Sequence, residues 1–195
     1  MKKITIITLC LLALGSTVFA QNPLKEYDLS VGFGAVYGYI NDSWKVKQEH
    51  RENYGWLDGK AKRHQLGVFV FFGNRYTEFN SSLRWDLIDD WTFSNGETKS
   101  VYNVALSVGA YGKYPIPLGT LLALIPTIGV DFDANESIFL WCRGGLGLDI
   151  FIDERIFFRI QALYGYGFQF LSSQGYEKIT PGHAPFIKWG GGWKF

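Results

Sequence analysis

The residues of this sequence that could form a catalytic pair are three histidines and two neighbouring serines. His50, His64 and His183 lie in or beside polar segments, and Ser172 and Ser173 begin the segment that contains His183. A serine hydroxyl beside an imidazole can act as a nucleophile. Histidines in such segments are more often solvated than catalytic, so we expect no catalytic residue in this chain.

Carboxylates and a cysteine are the other groups that could carry chemistry. Asp131, Asp133 and Glu136 are close in sequence and could hold a cation, but they lack the spacing of a calcium-binding loop. We therefore predict a solvated loop here, with no metal and no cofactor. Cys142 is the only cysteine after the first 20 residues, which excludes an intramolecular disulfide, and we expect it to be a small buried residue.

Alternation of apolar and polar residues with a period of two dominates the rest of the sequence. This period is typical of β-strands, and 23 glycines with 17% aromatic residues also favour strands. We predict eight strands, in the segments YDLSVGFGAVYGYI, RHQLGVFVFF, YTEFNSSLRWDL, VYNVALSVGAYGKY, residues 118–130, IFLWCRGGLGLDIF, IFFRIQALYGYGFQF and FIKWGGGWKF. The fifth departs from the pattern because both of its faces are apolar and Pro126 cannot donate to a ladder.

The connections between these strands alternate in length. Long polar segments follow the first, third and seventh strands, whereas short turns follow the second, fourth and sixth. This rhythm is typical of a barrel that crosses an outer membrane, with short turns on the periplasmic side and long loops outside. We therefore predict an all-β fold, an eight-stranded antiparallel up-and-down transmembrane β-barrel. The alternative is a soluble barrel whose apolar face surrounds a ligand.

Charged residues favour the membrane barrel. On the predicted strands they lie opposite the apolar face: Glu78, Arg84, Asp86, Arg143, Asp149, Arg159 and Lys188. A charge facing lipid would cost about 2–4 kcal/mol at the midplane, whereas opposite charges and small residues can fill a narrow interior. We therefore predict that these residues point inward and pair there. The candidates for interfacial aromatic girdles are Tyr27, Trp85, Trp91, Tyr111, Tyr114, Tyr164, Trp189 and Trp193.

The beginning of the sequence is typical of a secretory signal peptide. Residues 1–20 combine two lysines, a short apolar run and a Val-Phe-Ala cleavage site, which leaves residues 21–195 as one barrel domain. Removal of the two lysines reduces 19 basic residues to 17, against 18 acidic residues. Because this charge is nearly balanced, we expect no nucleic-acid partner.

The segment KWGGGWKF contains Lys188, Gly190, Trp193 and Phe195. These residues resemble the C-terminal signal of outer-membrane β-barrels, which the barrel-assembly machinery reads. Residues 21–195 resemble the small OmpA/OmpX/OmpW-like eight-stranded barrels. The resemblance implies a protein of the outer membrane of a diderm bacterium, with both termini in the periplasm and with outer-membrane lipids and lipopolysaccharide as partners. Since lipid offers no hydrogen bonds, we expect the last strand to pair with the first.

Residues 41–62 form the longest segment between predicted strands and could bind a host or surface ligand. Trp44, Tyr54 and Trp56 lie there among lysines and an arginine, and aromatic rings beside cations suit anionic head groups, polysaccharide or a protein. Part of the segment could instead extend the first two strands.

We therefore expect a structural or surface-interaction protein that acts through its loops and is not an enzyme. A narrow conduit for small hydrophobic molecules, as in OmpW-like barrels, is the second interpretation. A lipopolysaccharide-modifying enzyme is the third, and it is disfavoured because the segment GHAPF lacks the His-x-Ser-Asn motif of lipid A deacylases.

Overall fold

A computed structural model describes residues 29–100, 102–134, 138–171 and 175–195. The expected signal peptide (residues 1–20) and four residues discussed above, Tyr27, Glu136, Ser172 and Ser173, lie outside these ranges. Among the described residues, no helix is long and apolar enough to span a membrane.

Eight long strands follow one another along the chain. They are β1 (Ser30–Val46), β2 (Gly59–Gly73), β3 (Thr77–Phe93), β4 (Val104–Lys113), β5 (Leu122–Ala134), β6 (Ile138–Phe151), β7 (Ile156–Leu171) and β8 (His183–Lys194). A short helix, α1 (Gln48–Tyr54), lies between β1 and β2. Three shorter strands, Thr98–Ser100, Ile116–Pro117 and Tyr176–Pro181, extend the pairing of β3, β5 and β1 respectively.

The strands close into one antiparallel barrel with up-and-down topology, as predicted. Each long strand pairs with the next along the chain. β1 also pairs with β8, from Ser30↔Lys194 to Gly38↔Phe186. The backbone N–H of Phe195 donates to the carbonyl of Leu29 at 2.8 Å. This closure removes the free edges that an open sheet would expose.

The end of the barrel that contains Phe195 has tight turns, and side chains cap two of them. The Asn74 Oδ1 atom accepts the backbone N–H groups of Tyr76 (2.8 Å) and Thr77 (2.7 Å). In the turn between β6 and β7, Asp153 Oδ1 accepts two backbone N–H groups at 2.7 Å. The bonds from Ile156 and Arg155 stabilise the carboxylate and therefore hold the pKa of Asp153 below its usual range.

At the opposite end, β1 and β2 are longer than the strands predicted from the alternation of apolar and polar residues. β1 continues to Val46 and β2 begins at Gly59, so only residues 47–58 connect them. The interpretation that part of residues 41–62 extends the first two strands is therefore correct. We call this end, which also contains residues 94–100 and 175–182, the loop end.

The two faces of the wall have opposite chemistry. The outward face is apolar, and on β2 the side chains of Val68, Val70 and Phe72 are 53%, 57% and 54% exposed. The inward face holds the buried charged residues. The structure therefore has the face assignment of the membrane barrel and not that of a soluble barrel with an apolar lining.

Three expectations about single residues are wrong. Tyr111 is not in a girdle, because it lies inside the barrel and is 4% exposed. Trp91 packs against buried Trp44 at the loop end. Cys142 is exposed on the outward face. The other girdle candidates within the described residues are outward and 37–53% exposed: Trp85, Tyr114, Tyr164, Trp189 and Trp193.

Candidate functional site

Four buried charged residues form an ion-pair cluster in the half of the barrel nearest the tight turns. Arg159 binds Asp149 through two bonds, Nε to Oδ1 at 2.5 Å and Nη2 to Oδ2 at 2.8 Å. Its Nη1 atom donates to Glu78 Oε2 at 2.5 Å, and Lys113 Nζ donates to the same oxygen at 2.9 Å. Two cations and two carboxylates balance, so the cluster is neutral as a unit.

A second cluster lies nearer the loop end. Arg84 Nη2 is 2.6 Å from Asp133 Oδ2, and Arg143 Nε is 2.5 Å from Asp131 Oδ2. The Tyr111 hydroxyl donates to the same carboxylate of Asp131. These contacts join β3, β4, β5 and β6 across the interior.

Asp86 is tied into the second cluster through an amide side chain. Gln65 Nε2 donates to Asp86 Oδ1 at 2.8 Å, and Gln65 Oε1 accepts from Arg84 Nη1 at 3.1 Å. Gln65 therefore links a carboxylate on β3 to a guanidinium on the same strand.

Aromatic rings fill the interior between the charges. Phe186 lies between two guanidinium groups, with Arg143 Cζ 3.7 Å and Arg84 Cζ 4.9 Å from its ring centroid. Lys188 Nζ lies 5.0 Å from the ring of Tyr111 and 5.5 Å from that of Phe69. Cation–π contacts of this kind strengthen when water is excluded, so the rings stabilise the cations while also filling volume.

The structure thus places all seven residues of the expected interior network inside the barrel. Glu78, Asp149 and Arg159 meet in one cluster, and Arg84, Asp86 and Arg143 belong to the other. Lys188 lies between aromatic rings. Each of the seven side chains is buried.

Sequence reasoning missed three partners in this network. Asp131 and Asp133 were expected in a solvated loop, but β5 extends to Ala134 and both carboxylates are buried. Lys113 was not considered. Both aspartates alternate with outward Val130 and Phe132. The period of two therefore continues along β5, and this signal indicates that both aspartates point inward.

The seam between β1 and β8 depends on glycine. A Cβ atom at Gly190 would lie 2.2 Å from Phe33 O and 2.7 Å from Gly34 Cα, so the two backbones approach too closely for a side chain there. A Cβ at Gly192 would lie 2.6 Å from Phe157 Cζ. These glycines make room for the backbone contact and for the aromatic interior.

The aromatic residues of the same segment point outward. Trp193 stacks on Phe33 with ring centroids 6.4 Å apart and is 43% exposed. Phe195 is 72% exposed. Lys188, Gly190 and Trp193 thus lie on the strand that closes the barrel, and Phe195 directly follows it; their role as an assembly signal stays a prediction.

A pocket at the loop end has room for a ligand. It has a volume of about 570 Å³ and lies between the ends of β1, β2 and β3, with Trp44 and Phe93 in its wall. Lys45 and Lys60 also line it. A second recess of about 360 Å³ shares Trp44 and Phe93 and adds Trp56 and Lys99. Both volumes suit a small molecule or one unit of a polymer.

Hydrogen bonds hold the pocket wall in place. Trp44 Nε1 donates to the Leu57 carbonyl at 3.1 Å. Asp58 accepts from Arg51 Nη2 at 2.7 Å and from the Val46 backbone N–H at 2.8 Å. These bonds fix the connection between β1 and β2 against the aromatic pocket.

The three residues expected to be displayed by this connection behave differently from one another. Trp44 is only 8% exposed, because it lies within β1 and packs on Trp91 and Phe93, so the expectation that it projects from a loop is wrong. Tyr54 and Trp56 are 67% and 40% exposed.

The described histidines contact tyrosines or tryptophan. His50 lies 5.1 Å from the ring of Trp56, and His183 lies 5.6 Å from that of Tyr164. His64 Nδ1 is 2.6 Å from the hydroxyl of Tyr37. Among the described residues no cluster of His, Cys, Asp or Glu has the arrangement of a metal site.

Comparisons with known proteins bear on the fold. Neither protein-family models nor curated proteins match this sequence. Among solved structures, the barrel is similar to the outer membrane protein OprG from Pseudomonas aeruginosa, with a TM-score of 0.53 and 16% identity, over 88% of this chain and 97% of that one. The chain has the fold of an eight-stranded outer-membrane β-barrel.

Two further structures of this kind are less similar. Neisserial surface protein A (NspA) gives a TM-score of 0.47 at 12% identity, over 86% of this chain and 97% of that one. Ail, the attachment invasion locus protein of Yersinia pestis, gives 0.43 at 16% identity, over 88% of this chain and all (100%) of that one.

Proposed function

We propose that this chain is an integral outer-membrane protein whose barrel is a packed scaffold and whose loop end binds a surface ligand. The observation that carries the proposal is the separation of the two faces. Charged residues are buried and paired inside, while the outward face is apolar from the tight turns up to the level of Leu66 on β2. Lipid is the solvent that such an outward face suits.

The proposed orientation is supported by the difference between the two ends of the barrel. Tight turns and the closing strand suit the periplasmic side, and the longer connections suit the cell exterior. In this arrangement the barrel-assembly machinery reads the segment that contains Trp193 and Phe195. Both termini are then periplasmic.

The packed interior supports a scaffold over a conduit. Trp141, Arg84 and Phe186 are among the largest fully buried side chains, and they lie where a solute would have to pass. An eight-stranded interior is just wide enough to be filled by side chains. A scaffold of this kind acts through what it presents at its loop end.

The pocket at the loop end suits an anionic polysaccharide. Phe93 and the small exposed part of Trp44 offer apolar surface to sugar rings, and Lys45 and Lys60 offer positive charge to their acidic groups. The carboxylate of Asp58, which also lines the pocket, is neutralised by Arg51. The net charge of the pocket wall is therefore positive.

The test compares the chain with a variant in which residues 47–58 are replaced by a two-residue Asn-Gly turn. Both proteins are reconstituted in vesicles, and binding to immobilised alginate and to uncharged dextran is measured. We expect both barrels to fold and only the unmodified chain to retain alginate. Lys45→Gln with Lys60→Gln should also lose alginate binding, which controls for wider effects of the loop change. Equal binding of alginate and dextran, or unchanged binding by both variants, would refute the proposal.

A further inference from the structure

A column of outward-facing residues on β2 changes from apolar to cationic within a single strand. Phe72, Val70, Val68 and Leu66 lie on the outward face, and the same face continues toward the loop end with His64, Lys62 and Lys60. The side chains of Lys60 and Lys62 are exposed. Same-face neighbours on a strand are about 7 Å apart. The column therefore matches the two parts of an anionic lipid: its apolar residues suit the acyl chains and its cationic residues suit the head group.

The neighbouring strand β1 supplies aromatic residues where the change occurs. Tyr39 pairs with His64 in the register, and its ring lies 5.0 Å from the imidazole. The hydroxyl of Tyr37 is 2.6 Å from His64 Nδ1. When this hydroxyl donates, the proton of neutral His64 lies on Nε2, which can donate to an acceptor outside the wall.

Between His64 and the loop end, the net charge of the outward face of β1, β2 and β3 is positive. In the described stretches 41–45 of β1, 60–64 of β2 and 90–92 of β3, the exposed outward side chains include Lys45, Lys60 and Lys62 against one carboxylate, Asp90, which is opposite Lys62 in the register. Arg63 does not contribute, because it is paired with Asp42 on the inner side. The outward excess is two positive charges at the rim of the apolar wall.

We propose that this patch, Lys60, Lys62 and His64 with Tyr37 and Tyr39, binds the phosphate head of a phosphorylated glycolipid in the outer leaflet. The acyl chains lie along Leu66, Val68 and Val70, and the phosphate reaches the lysines and His64. Tyrosine suits the level where hydrocarbon meets head groups. The inference rests on the proposed membrane location. The patch shares Lys60 with the polysaccharide pocket, whereas Lys62, His64 and both tyrosines do not line that pocket.

The test measures which lipid remains bound to the barrel. The protein is placed in nanodiscs that contain equal amounts of bisphosphorylated lipid A and its phosphate-free counterpart, and bound lipid is counted by native mass spectrometry. A lysine near an anionic surface contributes about 1 kcal/mol to the free energy of binding. Two lysines therefore correspond to a preference of about 30-fold for the phosphorylated lipid. Lys60→Gln with Lys62→Gln should abolish most of this preference.

The matched control, Lys47→Gln with Lys99→Gln, removes the same charge from the loop end and should retain the preference. Equal retention of the two lipids, or equal loss in the control, would refute the inference. A chain that does not enter the nanodisc would refute the proposed membrane location as well, whereas one that enters without a preference would refute only this inference.

Discussion

Arg159 is the residue whose removal tests the interior network most sharply. Its guanidinium makes two bonds to Asp149 and one to Glu78, and all three side chains are at most 5% exposed. In Arg159→Met both carboxylates lose this partner, although Glu78 keeps Lys113. Removing one member of a buried ion pair typically costs 3–5 kcal/mol, because the remaining charge is left without compensation. We expect the free energy of unfolding to fall by about 3–5 kcal/mol.

A second variant separates charge from packing. Arg159→Met combined with Asp149→Asn removes the pair together and leaves Glu78 with Lys113. The remaining charges balance, so we expect the double variant to be more stable than Arg159→Met and to lie within about 2 kcal/mol of the unmodified chain. If Arg159→Met is destabilised only because packing is lost, the double variant will be no more stable than the single variant.

The assay is urea unfolding of the refolded barrel in lipid vesicles, followed by tryptophan fluorescence. Arg155→Met is the matched control, because Arg155 is exposed in the turn between β6 and β7; it should change stability by less than about 0.5 kcal/mol. If Arg159→Met unfolds at the same urea concentration as Arg155→Met, the interior charges do not stabilise the barrel as described.

The remaining predictions concern the seam and the assembly signal. Gly190→Ala should destabilise the barrel by about 1–3 kcal/mol in the same assay, because its Cβ would lie 2.2 Å from Phe33 O. Gly191→Ala should be tolerated, since the nearest atom to its Cβ is 3.7 Å away. Equal stabilities of the two variants would contradict the close approach at the seam. Phe195→Asp should leave unfolded protein in the periplasm, as judged by protease sensitivity of cell fractions, and normal assembly of that variant would remove the role assigned to the closing segment.

The strand pattern and the direction of the charged residues were predictable because they depend on local chemistry. Along β3, Glu78, Arg84 and Asp86 alternate with apolar residues, and a period of two assigns them to one face whatever the tertiary structure. The even number of strands and the alternating lengths of the connections then indicate closure. These features need no knowledge of which strands touch across the interior.

The aromatic filling of the interior was not predictable in the same way. β2 reads FVFF, so Phe69 and Phe71 are as apolar as their outward neighbours, and the alternation that marks an inward residue is absent. Both are buried, at 5% and 3% exposure. Their inward direction follows from the register with Gly34 and Gly32 on β1, which leave space for the rings, and register is a long-range property.

The pocket at the loop end also depends on long-range pairing. Trp44 and Phe93 are 49 positions apart in the printed numbering and meet because β1, β2 and β3 continue together past the level of His64. The sequence shows Trp44 in a polar segment and favours an exposed position. Only the strand pairing reveals that its ring is part of a wall.

The location of the outward face in lipid is the central claim, and lipid-dependent quenching tests it most directly. A fluorophore is attached to Leu83→Cys, whose native side chain is outward and 44% exposed, in a Cys142→Ser background, and the protein is reconstituted in vesicles with brominated acyl chains. Glu154→Cys, in the exposed turn between β6 and β7, is the control. We predict strong quenching at position 83 and little at position 154. Absence of quenching at position 83, together with reaction of its unlabelled thiol with a water-soluble reagent as fast as at position 154, would contradict the membrane location.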